Sequence, residues 1–188
     1  MITTIAKNAL PEDDIKLIMN RFDKTDKSNE EIRYMDLLGR DTWDFYSGDQ
    51  DKDRNFILDK INPLLVKEPE FSYIVTGQIF RAFSGAFLPY NVDLSDDVTG
   101  VVIVSFSNNV SGGRIIVNDT IVSPTLGTIV SITEPQNQQF QIETVYDNSS
   151  APFIYLMLMF SDHVIEKKEE PKQEELAGEN FETVKINV

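Results

Sequence analysis

The feature that most constrains the fold is a train of short β-rich segments between residues 73 and 161. Tyr73–Phe83, Thr99–Phe106, Arg114–Val117, Thr120–Val122, Gly127–Thr133, Phe140–Tyr146 and Phe153–Phe160 are dominated by Val, Ile, Phe, Tyr and Thr. Clusters of Gly, Asn, Asp, Ser and Pro separate them. β-branched and aromatic side chains suit a pleated surface, and short strands at this spacing predict a sandwich or barrel. No internal repeat is visible in the chain.

The first 72 residues have a different period. Ile2-Thr3-Thr4-Ile5 alternates enough for a short strand. Pro11 suits a first helical turn, with Glu12, Asp13 and Asp14 at the positive end of the helix dipole. Ile15, Ile18, Met19 and Phe22 then fall on one helical face. Ser28 or Asn29 is placed to cap a second, shorter helix carrying Ile32, Met35 and Leu38 and ending at Gly39. A third helix is expected from about Asn55 to Ile61, stopping near Pro63. Helices followed by a run of strands indicate an α+β chain with an all-β core. After Ser161 the stretch Glu166–Glu175 has no apolar face and reads as a solvated linker. Thr183–Val188 alternates polar and apolar residues, a strand pattern. Three parts follow: residues 1–72 as a helical segment packed on a barrel, 73–161 as the β core, and 162–188 as an acidic linker with an extended C-terminal arm.

At 188 residues, 41% of them hydrophobic, the chain can bury one ordinary core. Its net charge of −14 is spread along its whole length. Residues 1–72 carry 16 acids and 11 bases, residues 73–161 carry 7 and 2, and residues 162–188 carry 8 and 4. With no basic block, phosphate backbones are repelled, which argues against nucleic acid as a partner. Acidity serves solubility and, more specifically, a basic protein partner. The longest apolar run, Phe153–Phe160, is too short to span a bilayer. The opening residues lack the apolar stretch and cleavage site of a secretory signal. The chain has no cysteine, so disulfides and thiolate metal sites are excluded, in keeping with a cytosolic origin.

Within the β region the segments carry a resemblance. Gln78-Ile-Phe-Arg81-Ala-Phe83-Ser-Gly85-Ala-Phe87-Leu-Pro89, Val101–Ile115 with its Gly112-Gly113 pair, Val122-Ser-Pro124-Thr-Leu-Gly127, Phe140-Gln-Ile142-Glu-Thr-Val145 and Phe153–Phe160 occur in a fixed order. That ordered set resembles the iron(II)- and 2-oxoglutarate-dependent oxygenases of the prolyl 4-hydroxylase type, over about two-thirds of the chain. Asn8-Ala-Leu-Pro-Glu-Asp-Asp-Ile15 also resembles the start of such proteins, particularly those encoded by large tailed phages. The resemblance implies a double-stranded β-helix, or jelly roll, preceded by helices.

Its chemical positions read differently. The family's His-x-Asp pair falls on Asn91-Val92-Asp93, so a carboxylate remains and the imidazole is an amide. The distal histidine aligns with Phe140, and the basic residue that holds the cosubstrate aligns near Phe153. Between Gln78 and Ser161 there is no histidine or cysteine, and Arg81 and Arg114 are the only bases. Ferrous iron needs imidazole and carboxylate ligands, and a dicarboxylate needs a cationic partner. From these positions no metal, no cofactor and no enzymatic activity are expected. Phe140 and Phe153 are expected either to fill the vacated space or to be ordinary core residues.

Other features carry weaker chemistry. His163 is the only histidine and reads as a surface residue. Asp49-Gln-Asp51-Lys-Asp53-Arg-Asn55 is similar to a calcium loop, but Arg54 and Lys60 stand where glycine and a bidentate glutamate are wanted; a solvated loop is the plainer reading. Trp43, Phe45 and Tyr46 either pack the helices onto the barrel or, if exposed, anchor an interface. Phe181, Val184, Ile186 and Val188 form an arm able to pair with an exposed sheet edge, on a neighbouring subunit or on its own barrel. The leading expectation is a structural or assembly protein of a phage virion (tail, neck or capsid), made in the host cytoplasm, with other protein subunits as partners and no membrane contact. The alternatives are an oxygenase with an atypical metal centre using Asp93 and Glu143, and a jelly roll that binds a ligand or glycan near Tyr90, Asn91 and Gln139.

Overall fold

The computed structural model describes residues 3–47, 49–88, 94–108, 110–123, 125–146 and 152–165. Along these residues run β1 (Thr3–Ala6), α1 (Glu12–Lys24), β2 (Arg33–Met35), β3 (Arg40–Asp44), α2 (Asp51–Ile61), β4 (Tyr73–Ala82), β5 (Gly100–Ser105), β6 (Ile115–Val117), β7 (Thr120–Val122), β8 (Ile129–Thr133), β9 (Phe140–Ile142) and β10 (Phe153–Ser161). Seven strands form one antiparallel sheet in the order β1-β8-β5-β10-β4-β3-β2, and three form a second in the order β7-β6-β9. An antiparallel bridge from Leu88 to Ile142 extends the smaller sheet. The two sheets face each other as a jelly roll, and the helices cover the outer face of the larger one. The expected α+β jelly roll is the observed fold.

Strand alternation explains the layering. In β5, Val101 and Ile103 enter the space between the sheets, while Val102 and Val104 meet the helical layer. In β10, Phe153, Tyr155 and Met157 point inward and Leu156, Leu158 and Phe160 outward. Because both faces are covered, these strands read as unbroken apolar runs. The outer layer is built on Ile15, Ile18 and Phe22 of α1 and Ile57 and Ile61 of α2, packed on Trp43, Phe45 and Ile79. An ion pair between Lys60 and Asp14 (2.8 Å) ties α2 to α1.

Three expectations need correction. Residues 28–39 do not form a helix. They lead into a hairpin in which Arg33–Met35 pairs with Asp41–Trp43. The Asp36 carboxylate accepts from the amides of Leu38 (2.9 Å) and Arg40 (3.0 Å), and Gly39 takes φ +77° to close the turn. An Asp that satisfies the backbone two and four residues on favours a turn over a helix. The would-be calcium loop is helical from Asp51, so its carboxylates splay instead of converging. Finally, residues 1–72 are more than a helical layer, because they supply β1, β2 and β3 to the main sheet.

Candidate functional site

One end of the barrel gathers the chemistry. Here β4 ends at Ala82, β3 begins at Arg40 and β10 begins at Phe153, with Ala82 registered on both. The 36–39 hairpin turn lies against Ala86, and Gly85 donates its amide to the Val145 carbonyl (2.8 Å). This end is therefore closed by the β2–β3 turn and the segment that follows β4.

Inside it the lining is carbon. Phe153 is fully buried, and Phe140, opposite Val117 on β9, is nearly so. Tyr155 stacks between Phe80 (5.0 Å between ring centres) and Phe153 (4.9 Å). Its hydroxyl accepts from Arg40 Nη1 at 2.7 Å, and Arg40 Nε donates to Asp36 Oδ2 at 2.7 Å. The Arg40 guanidinium also lies over the Phe80 ring, 4.2 Å from its centre. Burial pushes the Tyr155 hydroxyl up to about 12, with Arg40 pulling the other way. The phenol is thus neutral at ordinary pH and offers an oxygen to a cation already bound. The arrangement fixes geometry and supplies neither a general base nor a metal ligand.

Outside this core a groove of about 320 Å³ runs between the β2–β3 hairpin and the start of the 83–87 turn. Arg33 crosses its floor, holding Asp41 through Nε–Oδ1 (2.6 Å) and Nη2–Oδ2 (2.7 Å) and donating from Nη1 to the Phe22 carbonyl (2.5 Å). Burial pushes the Asp41 carboxyl up, but the Arg33 bonds and the charges of Arg33, Arg81 and Lys27 together leave it below its ordinary value. Arg81 is paired with Asp23. Lys27, Tyr34, Met35 and Phe83 complete the lining. Met35 is 61% exposed, Leu37 fully exposed, and Phe83 and Phe87 each 41% exposed. β2 is the last strand of its sheet, so no strand pairs with its outer side among the described residues, although the Arg33 amide there already donates to the Asn29 carbonyl (2.9 Å).

The residues singled out from sequence are dispersed by comparison. Asn91 and Asp93 lie outside the described residues, as do Tyr90 and the arm residues Phe181, Val184, Ile186 and Val188. Trp43 and Phe45 are completely buried and Tyr46 partly so, with its hydroxyl on the Ile74 carbonyl (3.1 Å). An exposed aromatic anchor is therefore corrected for Trp43 and Phe45, which pack α1 and α2 onto the sheet. Glu143 is engaged by Arg114 (Nε–Oε2 2.7 Å), which holds its carboxyl below the usual range. His163 is exposed and sits beside Asp162 and Asp97. Sequence reasoning passed over Arg40, Tyr155, Leu37 and Met35. Arg40 and Tyr155 are 115 residues apart, and no local pattern joins them.

No protein-family model and no curated protein matches the chain. Solved structures do. A 2OG-Fe(II) oxygenase-family oxidoreductase from Burkholderia pseudomallei shares 13% identity at a TM-score of 0.62, over 86% of this chain and 84% of that one. A prolyl hydroxylase from Trichoplax adhaerens, solved with a hypoxia-inducible-factor peptide fragment, shares 12% at 0.60, over 85% and 83%. A viral collagen prolyl hydroxylase from Paramecium bursaria chlorella virus 1 shares 14% at 0.53, over 86% and 96%. The fold is that of the 2-oxoglutarate and iron(II) oxygenases. At these identities the likeness is one of fold.

That finding overturns the expectation of a protein without enzymatic activity, since the neighbours that share its fold are enzymes. The described residues nonetheless do not fit a ferrous centre of the family's kind. Phe140 and Phe153, the positions to which the sequence resemblance assigns the imidazole and the cation, are buried aromatic side chains, and among the described residues no three His, Asp or Glu groups converge. No helix of the described residues is long and apolar enough to cross a membrane.

Proposed function

We propose that this chain is a ligand-binding jelly roll of the oxygenase fold whose ligand is an extended polypeptide, taken at the barrel end between the β2–β3 hairpin and the 83–87 turn. The observation that carries the reading is the exposure of Met35 and Phe83 on one groove beside an edge strand, with Leu37 and Phe87 exposed on the two turns that follow them in the chain. Four large apolar side chains left in water at one end of a domain are the mark of a recognition face. An open edge such as β2 supplies backbone donors and acceptors to an added strand, while apolar pockets select its side chains. The Trichoplax neighbour, solved in complex with a peptide fragment, supports the same ligand class. Arg33, Asp41 and Arg40 act here by positioning: they lock the hairpin that presents Met35 and Leu37. A place among the protein subunits of a phage virion, assembled in the host cytoplasm, is the finer form of this proposal, supported by the resemblance of Asn8–Ile15. The test is selection from a library of extended peptides against the full chain, with Leu37→Ser and Phe83→Ser as controls. Enrichment that both substitutions abolish is expected. Enrichment unchanged by either, or selection of glycans on a parallel array, contradicts it.

A second reading follows from the three fold neighbours named above, which are oxygenases. In it the chain is an oxygenase with an atypical metal centre to which Asp93 brings a carboxylate. Glu143 is a poor companion ligand, because Arg114 already holds both of its oxygens. Anaerobic iron titration followed by a cosubstrate-turnover assay tests this reading. Tight binding with succinate release supports it, and neither at millimolar iron removes it.

A further inference from the structure

The opposite end of β4 carries a second concavity, about 370 Å³, walled by Tyr46, Tyr73, Ile74, Val75, Val164 and Ile165. Tyr73 and Val164 are exposed to solvent at 47% and 64%. Beside it β4 is half-paired. β10 covers one side of β4 as far as Tyr73, but β3 stops at the Asp44–Gln78 pair. The other side of Tyr73–Gly77 therefore has no strand partner among the described residues, and the contact there is the Tyr46 hydroxyl on the Ile74 carbonyl (3.1 Å), which an added strand would share or displace.

The length and order of the remaining chain say what fits there. The described residues end at Ile165, itself a wall of the concavity. Fifteen mostly charged residues, 166–180, follow, and then Phe181-Glu-Thr-Val-Lys-Ile-Asn-Val188. In an extended chain Val184, Ile186 and Val188 share one face. A coil of that linker length has a typical reach of about 20 Å. An end tethered so close to a site sees it at an effective concentration in the millimolar range, far above that of a second copy in dilute solution.

We propose that Phe181–Val188 folds back onto its own chain, adds a strand to the free side of β4 at Tyr73–Gly77, and sets Val184 and Ile186 against Tyr73, Val164 and Ile165. Backbone pairing gives the affinity and the alternating apolar face gives the register. The dock is on the chain's own barrel and not on a neighbour, and it stands apart from the peptide groove at the other end of β4.

Hydrogen exchange on the full chain, on a chain ending at Asn180, and on the full-length Val184→Asp/Ile186→Asp variant tests the proposal. Amides of residues 73–77 are expected to exchange about tenfold or more slowly in the full chain than in either variant. A synthetic peptide of residues 179–188, added at millimolar concentration to the shortened chain, should restore the slow exchange. Equal exchange in all three chains overturns the proposal. So does loss of protection at Thr3–Ala6 or Thr120–Val122 instead, which would put the arm on another edge. Protection that appears only with concentration-dependent dimerisation in light scattering assigns the arm to a second copy and also overturns it.

Discussion

The two faces of the main sheet are equally buried and differently made. The outer face meets helices through Trp43, Phe45, Ile79, Leu156 and Leu158, with Phe22 6.1 Å and Phe45 5.9 Å from Trp43 between ring centres. The inner face meets the smaller sheet through Phe80, Ile103, Phe153 and Phe140, but it also admits Arg40, whose guanidinium reaches Tyr155. On the outer face the charged group is Arg33 of the edge strand β2, which lies over the Phe22 ring, 3.9 Å from its centre, and pairs with Asp41. On the inner face a charged group is held among aromatic rings, at the cost of desolvating it, and the return is a hairpin pinned in place. A buried charge is tolerated when it is fully hydrogen-bonded, and the Asp36–Arg40–Tyr155 chain meets that condition. The difference teaches that the interior of this barrel is organised around holding β2 and β3 at the barrel end, where the exposed apolar groups stand.

Truncation gives the largest test of that contrast. Trp43→Ala and Phe153→Ala should each cost about 3–5 kcal/mol in urea unfolding, one from each face. Only the second should open a space in the barrel interior, detectable as uptake of a small apolar ligand such as benzene or xenon. If Phe153→Ala costs under about 1 kcal/mol, the inner face is not tightly packed and the contrast fails. Tyr155→Phe comes next. It removes one hydrogen bond to a charged group, worth about 1.5–3 kcal/mol, and should loosen the β2–β3 hairpin in hydrogen exchange while leaving α1 and α2 unchanged. Loss spread evenly over both layers would contradict a role confined to the barrel end.

Acid titration sharpens the comparison further. The hydrogen bond from Arg114 holds Glu143 below its ordinary value of 4.5, and against the burial that raises it, Arg33, Arg81 and Lys27 together hold Asp41 below 3.8. Groups depressed in the folded state stabilise it fully above their unfolded values. That stability is lost as pH falls from near 4.5 through the lower folded values. Unfolding midpoints should therefore be flat above pH 5 or so and decline below it. Glu143→Gln should flatten part of the decline. An acid limb unchanged in that variant would remove the pair from the account. The smallest effect on stability belongs to Leu37→Ser, within about 0.5 kcal/mol for so exposed a site, although it should weaken peptide binding about tenfold.

What could be read before the structure follows the range of the forces involved. The strands from Tyr73 onward were legible because β-branched runs punctuated by Gly, Asn and Pro depend on neighbours in sequence. The helix at Glu12–Lys24 was legible through its proline, its acidic first turn and its apolar stripe. The hairpin at Arg33–Asp44 was not. Ile32, Met35 and Leu38 fall at helical spacing, and the pairing that overrides it, Asp41 with Arg81 on β4, is remote in sequence. The fate of Phe140 and Phe153 as buried carbon was readable from their type. The Arg40–Tyr155 bond was not, because nothing near either residue marks the other. The exposed Met35 and Phe83 of the groove escaped for a related reason: a lone exposed Met or Phe carries no signal until folding sets such residues side by side.

Binding of an extended polypeptide at the hairpin end of the barrel can be checked by mapping a selected peptide onto the isotope-labelled full chain by NMR. Shifts concentrated at Arg33–Leu37 and Arg81–Phe87, and lost in Leu37→Ser, are the predicted result. Shifts centred on Tyr46, Tyr73 and Val164, or none at saturating peptide, would contradict it.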